Sequence, residues 1–293
     1  MRKLIPLEHN ERDFQKQIYY INENPLRVKE GKELINDSYA HIVQKFDEYI
    51  NNKEFLERIN SSIFVKSSTP SEEGIYEKLY NLYDSQEALK EKVRAISSTR
   101  CPYCGITESP FHVDHYVPRS KYPEFSVLKI NLIAACATCN SRFKGDEFIE
   151  GNQRLYFNPY FDAFIENIQF LKCSIEVDNI YPVINFYIDE QLKQTNVYAY
   201  NVMENHFNNL KLATRYKELA RVEIFNRFKD EYINPNTLEF DEVTIDELKR
   251  DIRKKLRAFR EFNINHWEKV FLEALEKADD CLNLIVNKST PIN

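Results

Sequence analysis

Cys101-Pro-Tyr-Cys104, His112-Val-Asp114-His115, Asn131-Leu132 and Cys136-Ala-Thr-Cys139-Asn140 follow one another in a single short stretch of this chain. Two thiolates two residues apart on a tight turn can reach one ion, so paired C-x2-C knuckles suit a tetrahedral structural metal. The segment between the knuckles, residues 105–135, is longer than a simple zinc ribbon needs, which fits a functional insertion. It carries Asp114, His115 and Asn131, and Asn140 directly follows the last cysteine. A carboxylate, an imidazole and two amides are what metal-assisted hydrolysis of a phosphodiester requires.

That chemistry needs an activated water, charge stabilisation on the phosphate and help for the departing alkoxide. Imidazole, with an ordinary pKa of about 6.5, is the natural base, a role assigned to His115. A hard divalent cation does the rest. Asp114 offers it a charged oxygen and Asn140 a neutral one, which leaves most of the shell to water and phosphate and suits Mg²⁺ or Mn²⁺. His112 stands two residues before Asp114, on the same face of a strand. It reads as a partly exposed structural histidine ahead of an extra metal or phosphate ligand. Arg119, Lys121, Arg142 and Lys144 are candidate phosphate contacts, although a charged loop and helix face would look the same.

The wording of residues 113–123 and 131–145 tightens the picture: Val-Asp-His-Tyr-Val-Pro-Arg-Ser-Lys-Tyr-Pro and Asn-Leu-Ile-Ala-Ala-Cys-Ala-Thr-Cys-Asn-Ser-Arg-Phe-Lys-Gly. With the two knuckles, this order resembles the HNH (ββα-metal) endonucleases that carry a zinc-ribbon brace. The resemblance is specific over residues 101–148 and weak over Asn158-Pro-Tyr-Phe-Asp162. It implies a strand–strand–helix core that brings Asp114, His115 and Asn140 together. It also implies that Asn131 bonds backbone across the loop and so orients the histidine. Where the family name implies a second histidine this chain has Asn140, as in junction-resolving members, and an amide there tips the preference towards Mg²⁺. The wording is similar to nucleases encoded beside ATPases in bacterial anti-phage systems, of the Septu type or linked to retrons. That likeness implies DNA as substrate, an ATPase partner and a role in defence.

The rest of the chain is compatible with this reading. Its 293 residues are 43% hydrophobic and 13% aromatic, enough for a sizeable core. Only 5 glycines, against an average near ~7%, argue for a helix-dominated fold. The start has no apolar leader region and no run approaches a membrane span, so a cytoplasmic protein with no membrane partner is expected. Reduced thiols follow from that compartment, which favours zinc over disulfides or another thiolate-bound metal for the four knuckle cysteines. Cys173 and Cys281 read as core residues. The net charge of −6 is unusual for a freestanding nucleic-acid binder and points to a local basic face or a partner that supplies the binding surface.

The expected architecture is α+β and mainly helical: a small zinc-braced nuclease core flanked by helical regions and one β-hairpin. Residues 1–98 form a helical N-terminal region, with helix-type patterning at 28–60 and 73–98 and a loop at Ser67–Gly74, where Ser71 starts a helix. Residues 99–150 form the core: a strand over Phe111–His115, a second over Asn131–Ala134, and a helix from Cys139 to Lys144 that Gly145 stops. Residues 151–293 hold a hairpin, Ile168–Val177 with Tyr181–Ile188, and long helices over 197–232 and 244–287. Their combined length suggests partner docking. The basic helix around residues 249–260 is more often a solvated face than a nucleic-acid site. Two other readings remain: a non-catalytic zinc-ribbon docking module, and a nuclease acting on RNA such as tRNA.

Overall fold

The two strands flanking the candidate site form an antiparallel pair, β1 (His112–His115) with β2 (Leu132–Ala135), in the register Asp114↔Ile133 and His115↔Leu132. The structure, a computed structural model, describes residues 1–7, 38–64, 66, 74–97, 100–106, 112–179, 181–225, 232, 243–259 and 263–287. All four β2 residues are buried. Their backbone is fastened by the Ser97 hydroxyl on the Ala134 carbonyl at 3.2 Å and the Tyr160 hydroxyl on the Leu132 carbonyl at 2.6 Å. Short apolar residues are used here because the strand is covered and has no room for large polar groups.

Two compact units divide the chain: Lys3–Asp162, and Ala163–Asn293 together with Met1–Arg2. In the first, α1 (Tyr39–Asn51) buries Ile42, Phe46 and Tyr49, one stripe at helical spacing. The rings of Phe46 and Tyr49 lie 6.3 and 5.1 Å from that of Phe125. Helices α2 (Ile75–Leu82) and α3 (Glu87–Ile96) follow, separated by a single 3-10 turn at Tyr83–Ser85. After β2, α4 (Thr138–Lys144) is wound as a π-type helix, with the Gly145 N–H bonded to the Asn140 carbonyl at 2.8 Å. Gly145 ends it at φ +51°, ψ −130°, a conformation that glycine tolerates and a side chain does not. The expected helix and stop are therefore present, with wider winding.

A small ladder, β3 (Ile149–Glu150) with β4 (Gln153–Arg154), then sends Arg154 into the interior. The Arg154 guanidinium is fully buried between Glu57 at 3.2 Å and Asp162 at 2.8 Å, and donates to the Tyr116 hydroxyl at 3.2 Å. Asp162 also accepts the Asn158 N–H at 2.6 Å, which closes the Asn158–Asp162 turn. The first compact unit thus runs on to Asp162. The helices before residue 99 share a unit with the nuclease core because their apolar faces are buried within it.

The second unit opens with a short helix, α5 (Phe164–Asn167), and the antiparallel hairpin β5 (Leu171–Asp178) and β6 (Tyr181–Ile188). Helices α6 (Gln191–Thr195), α7 (Val197–Asn209) and α8 (Leu212–Leu219) follow, the last continuing as a π-type turn over Ala220–Phe225. The expected helix over 197–232 is broken where Lys211 turns left-handed at φ +53°. The expected helix over 244–287 is three: α9 (Ile245–Ala258), α10 (Trp267–Leu275) and α11 (Asp279–Val286). Two asparagines stand at the described end of the first of those breaks. Asn263 caps the Asn265 N–H at 2.7 Å, and the Asn265 amide accepts from Phe170 and Leu171 and donates to Ile168. The rings of Phe186, Phe207 and Trp267 gather round Tyr216 at 5.4–6.3 Å and form this unit's aromatic core.

About half the described residues are helical and the sheets are small two-stranded pairs, so the fold is α+β. Among those residues no helix is long and apolar enough to cross a membrane. The expected segments at 28–37, Ser71 with the loop before Gly74, Phe111, 226–231 and Arg260 lie outside the described residues.

Candidate active site

Both knuckles are built from tight turns that aim sulfur at one point. In the first, the Gly105 N–H bonds the Cys101 carbonyl at 2.8 Å, with Gly105 at φ +69°. In the second, the Cys139 N–H points at the Cys136 sulfur at 3.4 Å, and the Asn140 N–H bonds the Cys136 carbonyl at 3.0 Å. All four thiols are buried and their sulfurs lie within 4.8 Å of one another. A tetrahedral ion with sulfur bonds near 2.3 Å sets sulfurs about 3.8 Å apart, so the cluster has the dimensions to bind zinc. Hydrogen bonds from its neighbours pull Cys136 down to about 6, whereas burial foremost pushes Cys101 up, and bonding among the thiols pushes Cys139 up. Four adjacent buried sulfurs cannot all ionise unaided, and a cation resolves that conflict.

Asp114 is 2% exposed. Its Oδ2 accepts the Tyr103 hydroxyl at 2.5 Å and its Oδ1 the Lys144 ammonium at 3.0 Å. Tyr103 sits inside the first knuckle, and Lys144 ends the helix that grows out of the second. The carboxylate is therefore held by both halves of the four-cysteine brace.

His115 is held by a different set. Its Nε2 lies 2.9 Å from the Ser126 carbonyl, which can only accept, so Nε2 carries the proton and Nδ1 the lone pair. Ser126 is itself buried and its hydroxyl donates to the Leu79 carbonyl of α2. Tyr83 meets the imidazole edge-on at 4.6 Å. Burial drags the imidazole from its ordinary 6.5 to about 3, with Arg119 and Lys144 adding to the fall and the Ser126 bond opposing it. The ring is neutral at pH 7, a weaker base than an unperturbed imidazole but one that is always ready to accept.

Asn131 is completely buried and makes four side-chain contacts. Its Oδ1 accepts from the Val117 N–H at 2.8 Å and the Tyr49 hydroxyl at 3.2 Å. Its Nδ2 donates to the Val117 carbonyl at 3.0 Å and the Phe125 carbonyl at 3.3 Å. This two-way bond with Val117 closes the loop between β1 and β2, immediately after His115.

Asn140 is half-buried on the first turn of α4, and its amide makes no side-chain hydrogen bond among the described residues. His112 is exposed, with Nδ1 3.4 Å from the Ser141 hydroxyl. The four basic candidates separate. Lys121 and Arg142 are exposed. Arg119 is bound to the Tyr80 carbonyl and Asp84, each at 2.9 Å, and stacks on Tyr80. Lys144 faces inward, 1% exposed, and bonds Asp114 and the His115 carbonyl. Sequence reading missed Tyr103, Tyr83, Ser126 and Tyr49. Only Tyr103 carried a signal, as a polar ring inside a knuckle.

Residues 101–145 match the HNH endonuclease family. The chain carries an HNH endonuclease domain, and with it the activity of a nuclease that hydrolyses phosphodiester bonds. The HNH domain thus spans both knuckles, β1, β2 and α4. Over a longer stretch the chain is 26% identical to protein ea31 of Escherichia phage lambda, across 214 residues that make up 70% of this chain and 72% of that protein. No solved structure matches.

Proposed function

We propose that this chain is a DNA endonuclease in which His115 is the general base, Asp114 and Asn140 hold a catalytic Mg²⁺ or Mn²⁺, and Cys101, Cys104, Cys136 and Cys139 hold a structural zinc. The observation that carries the reading is the 2.9 Å contact between His115 Nε2 and the Ser126 carbonyl. With Nε2 committed to the Ser126 carbonyl, Nδ1 is left as an unprotonated acceptor for a proton from water. Asn131 keeps the chain beyond that histidine closed on itself, and Tyr83 holds the ring's orientation. Asp114 and Asn140 offer a charged and a neutral oxygen donor, a pair that suits a hard cation whose shell is completed by water and phosphate. Such an ion supplies charge stabilisation for the phosphate and the leaving oxygen. Lys121 and Arg142, both exposed, are the basic candidates free to meet the backbone on either side of the cut. Arg119 and Lys144 serve the protein's own frame.

DNA is the substrate that the resemblance of residues 101–148 suggests, and hydrolysis by an activated water, which needs no 2′-hydroxyl, is compatible with it. A net charge of −6 and two exposed basic candidates are a slight footprint for nucleic acid, which supports a partner that supplies binding surface. An ATPase of the same anti-phage system is the partner that the resemblance of residues 101–148 suggests, with the Ala163–Asn293 unit as the docking element, in the cytoplasm. The test is cleavage of plasmid DNA, single-stranded DNA and RNA by the purified chain in Mg²⁺, Mn²⁺ and EDTA. Cutting of DNA with either metal and none in EDTA is expected. Metal-dependent cutting confined to RNA would move the substrate class.

A further inference from the structure

Lys144 is the most unusual cation in the HNH domain. A lysine ordinarily keeps its ammonium in water, and burial is unfavourable unless its donors are used. Here the side chain is fully enclosed, and two donors are placed at 3.0 Å, on Asp114 Oδ1 and on the His115 carbonyl. The ammonium also lies 5.9 Å from the centre of the Tyr156 ring. The site is therefore assembled round a positive charge that belongs to the chain itself.

Asp114 has acceptor capacity to spare, since an ionised carboxylate offers about four lone-pair positions and only two are occupied. A divalent ion thus finds donor atoms that fit. The charge does not fit. An ammonium and a dication on one buried carboxylate repel each other in surroundings that screen them poorly. Lysine has a four-carbon stem that lets the head group move without the backbone. Lys144 is also the last residue of α4, so moving it disturbs no later turn of that helix.

We propose that Lys144 is an internal cation seated on Asp114, which has to leave that carboxylate before a divalent metal binds there. The inference rests on the reading of Asp114 as a metal ligand. It gives the free protein a low metal affinity by construction, and it explains why a basic residue in the HNH stretch is turned inward.

The test is Mn²⁺ binding to zinc-loaded protein, followed by the electron paramagnetic resonance signal of free Mn²⁺. Wild type, Lys144→Met, Lys144→Arg and Asp114→Asn are compared, with zinc content and thermal unfolding as folding controls. Lys144→Met is expected to bind Mn²⁺ about tenfold more tightly than wild type, whereas Lys144→Arg, which keeps the charge, stays near wild type. Asp114→Asn is expected to lose the site. If Lys144→Met fails to hold zinc, Lys144→Gln takes its place. Binding in the Met or Gln variant no tighter than wild type, with the site still lost in Asp114→Asn, overturns the inference and leaves Asp114 as a ligand. Retention of the site in Asp114→Asn overturns both.

Discussion

The Lys3–Asp162 unit and helix α9 both carry ion pairs, and only the first encloses some of its own. In the first unit, Asp114–Lys144 and Glu57–Arg154–Asp162 are enclosed, each side chain less than a tenth exposed. On α9, Lys249 pairs with Asp279, Arg253 with Glu276 and Lys254 with Asp251, all with at least one partner well exposed. Removing one member of an enclosed pair strands its partner without water. Removing one member of an exposed pair lets solvent take its place. Enclosed charge in the first unit therefore shapes its interior, whereas charge on α9 lies at a surface. Among the described residues, the cations of this helix are mostly matched by acids.

The largest effect that would sharpen this contrast comes from the brace. If the four cysteines hold zinc as proposed, its chelation, or Cys104→Ser, should unfold the nuclease region, because four buried sulfurs would then lack a cation to reconcile them. Loss of zinc content together with loss of Lys3–Asp162 amide protection in hydrogen exchange is the expected result. Next comes Arg154→Ala, which removes the buried cation between Glu57 and Asp162 and should cost about 3–5 kcal/mol in denaturant unfolding.

A smaller, pH-dependent effect is expected at Glu124. It is fully enclosed, one oxygen accepts from Ser62, the other has no hydrogen-bond partner among the described residues, and burial pushes its carboxyl above the ordinary 4.5. A raised folded-state pKa means that the native protein binds the proton more tightly than the unfolded chain. Wild type should therefore lose stability as pH rises from 4.5 through the raised value. Glu124→Gln should flatten that part of the unfolding-midpoint profile. The smallest effect belongs to α9: Arg253→Ala should shift stability by no more than ~1 kcal/mol. A loss like that of Arg154→Ala would break the contrast between the two regions.

The parts of this molecule legible in the sequence are those that depend on local spacing. The knuckles, the two short strands, the helix after Cys139 with its Gly145 stop, and the β5–β6 hairpin all announce themselves through neighbours in the chain. What was not legible depends on depth and on distant partners. Lys144 reads as a surface base because nothing local says that its stem turns inward. Ser126 and Tyr83 are joined to His115 only by the way α2 and the loop before β2 close on it. The breaks near Lys211 and Asn265 were hidden for a related reason: helical periodicity continues across them, and the Asn265 side chain caps a strand far away in sequence.

The account stands on His115, so the most direct measurement is the rate of metal-dependent DNA cleavage by His115→Ala beside wild type, with zinc content and unfolding measured on the same samples. A cleavage rate lower by about 10²-fold or more at unchanged zinc content is the predicted result. Cleavage near the wild-type rate, in a variant that still folds and holds zinc, would contradict the assignment of the base and the reading of the site built on it.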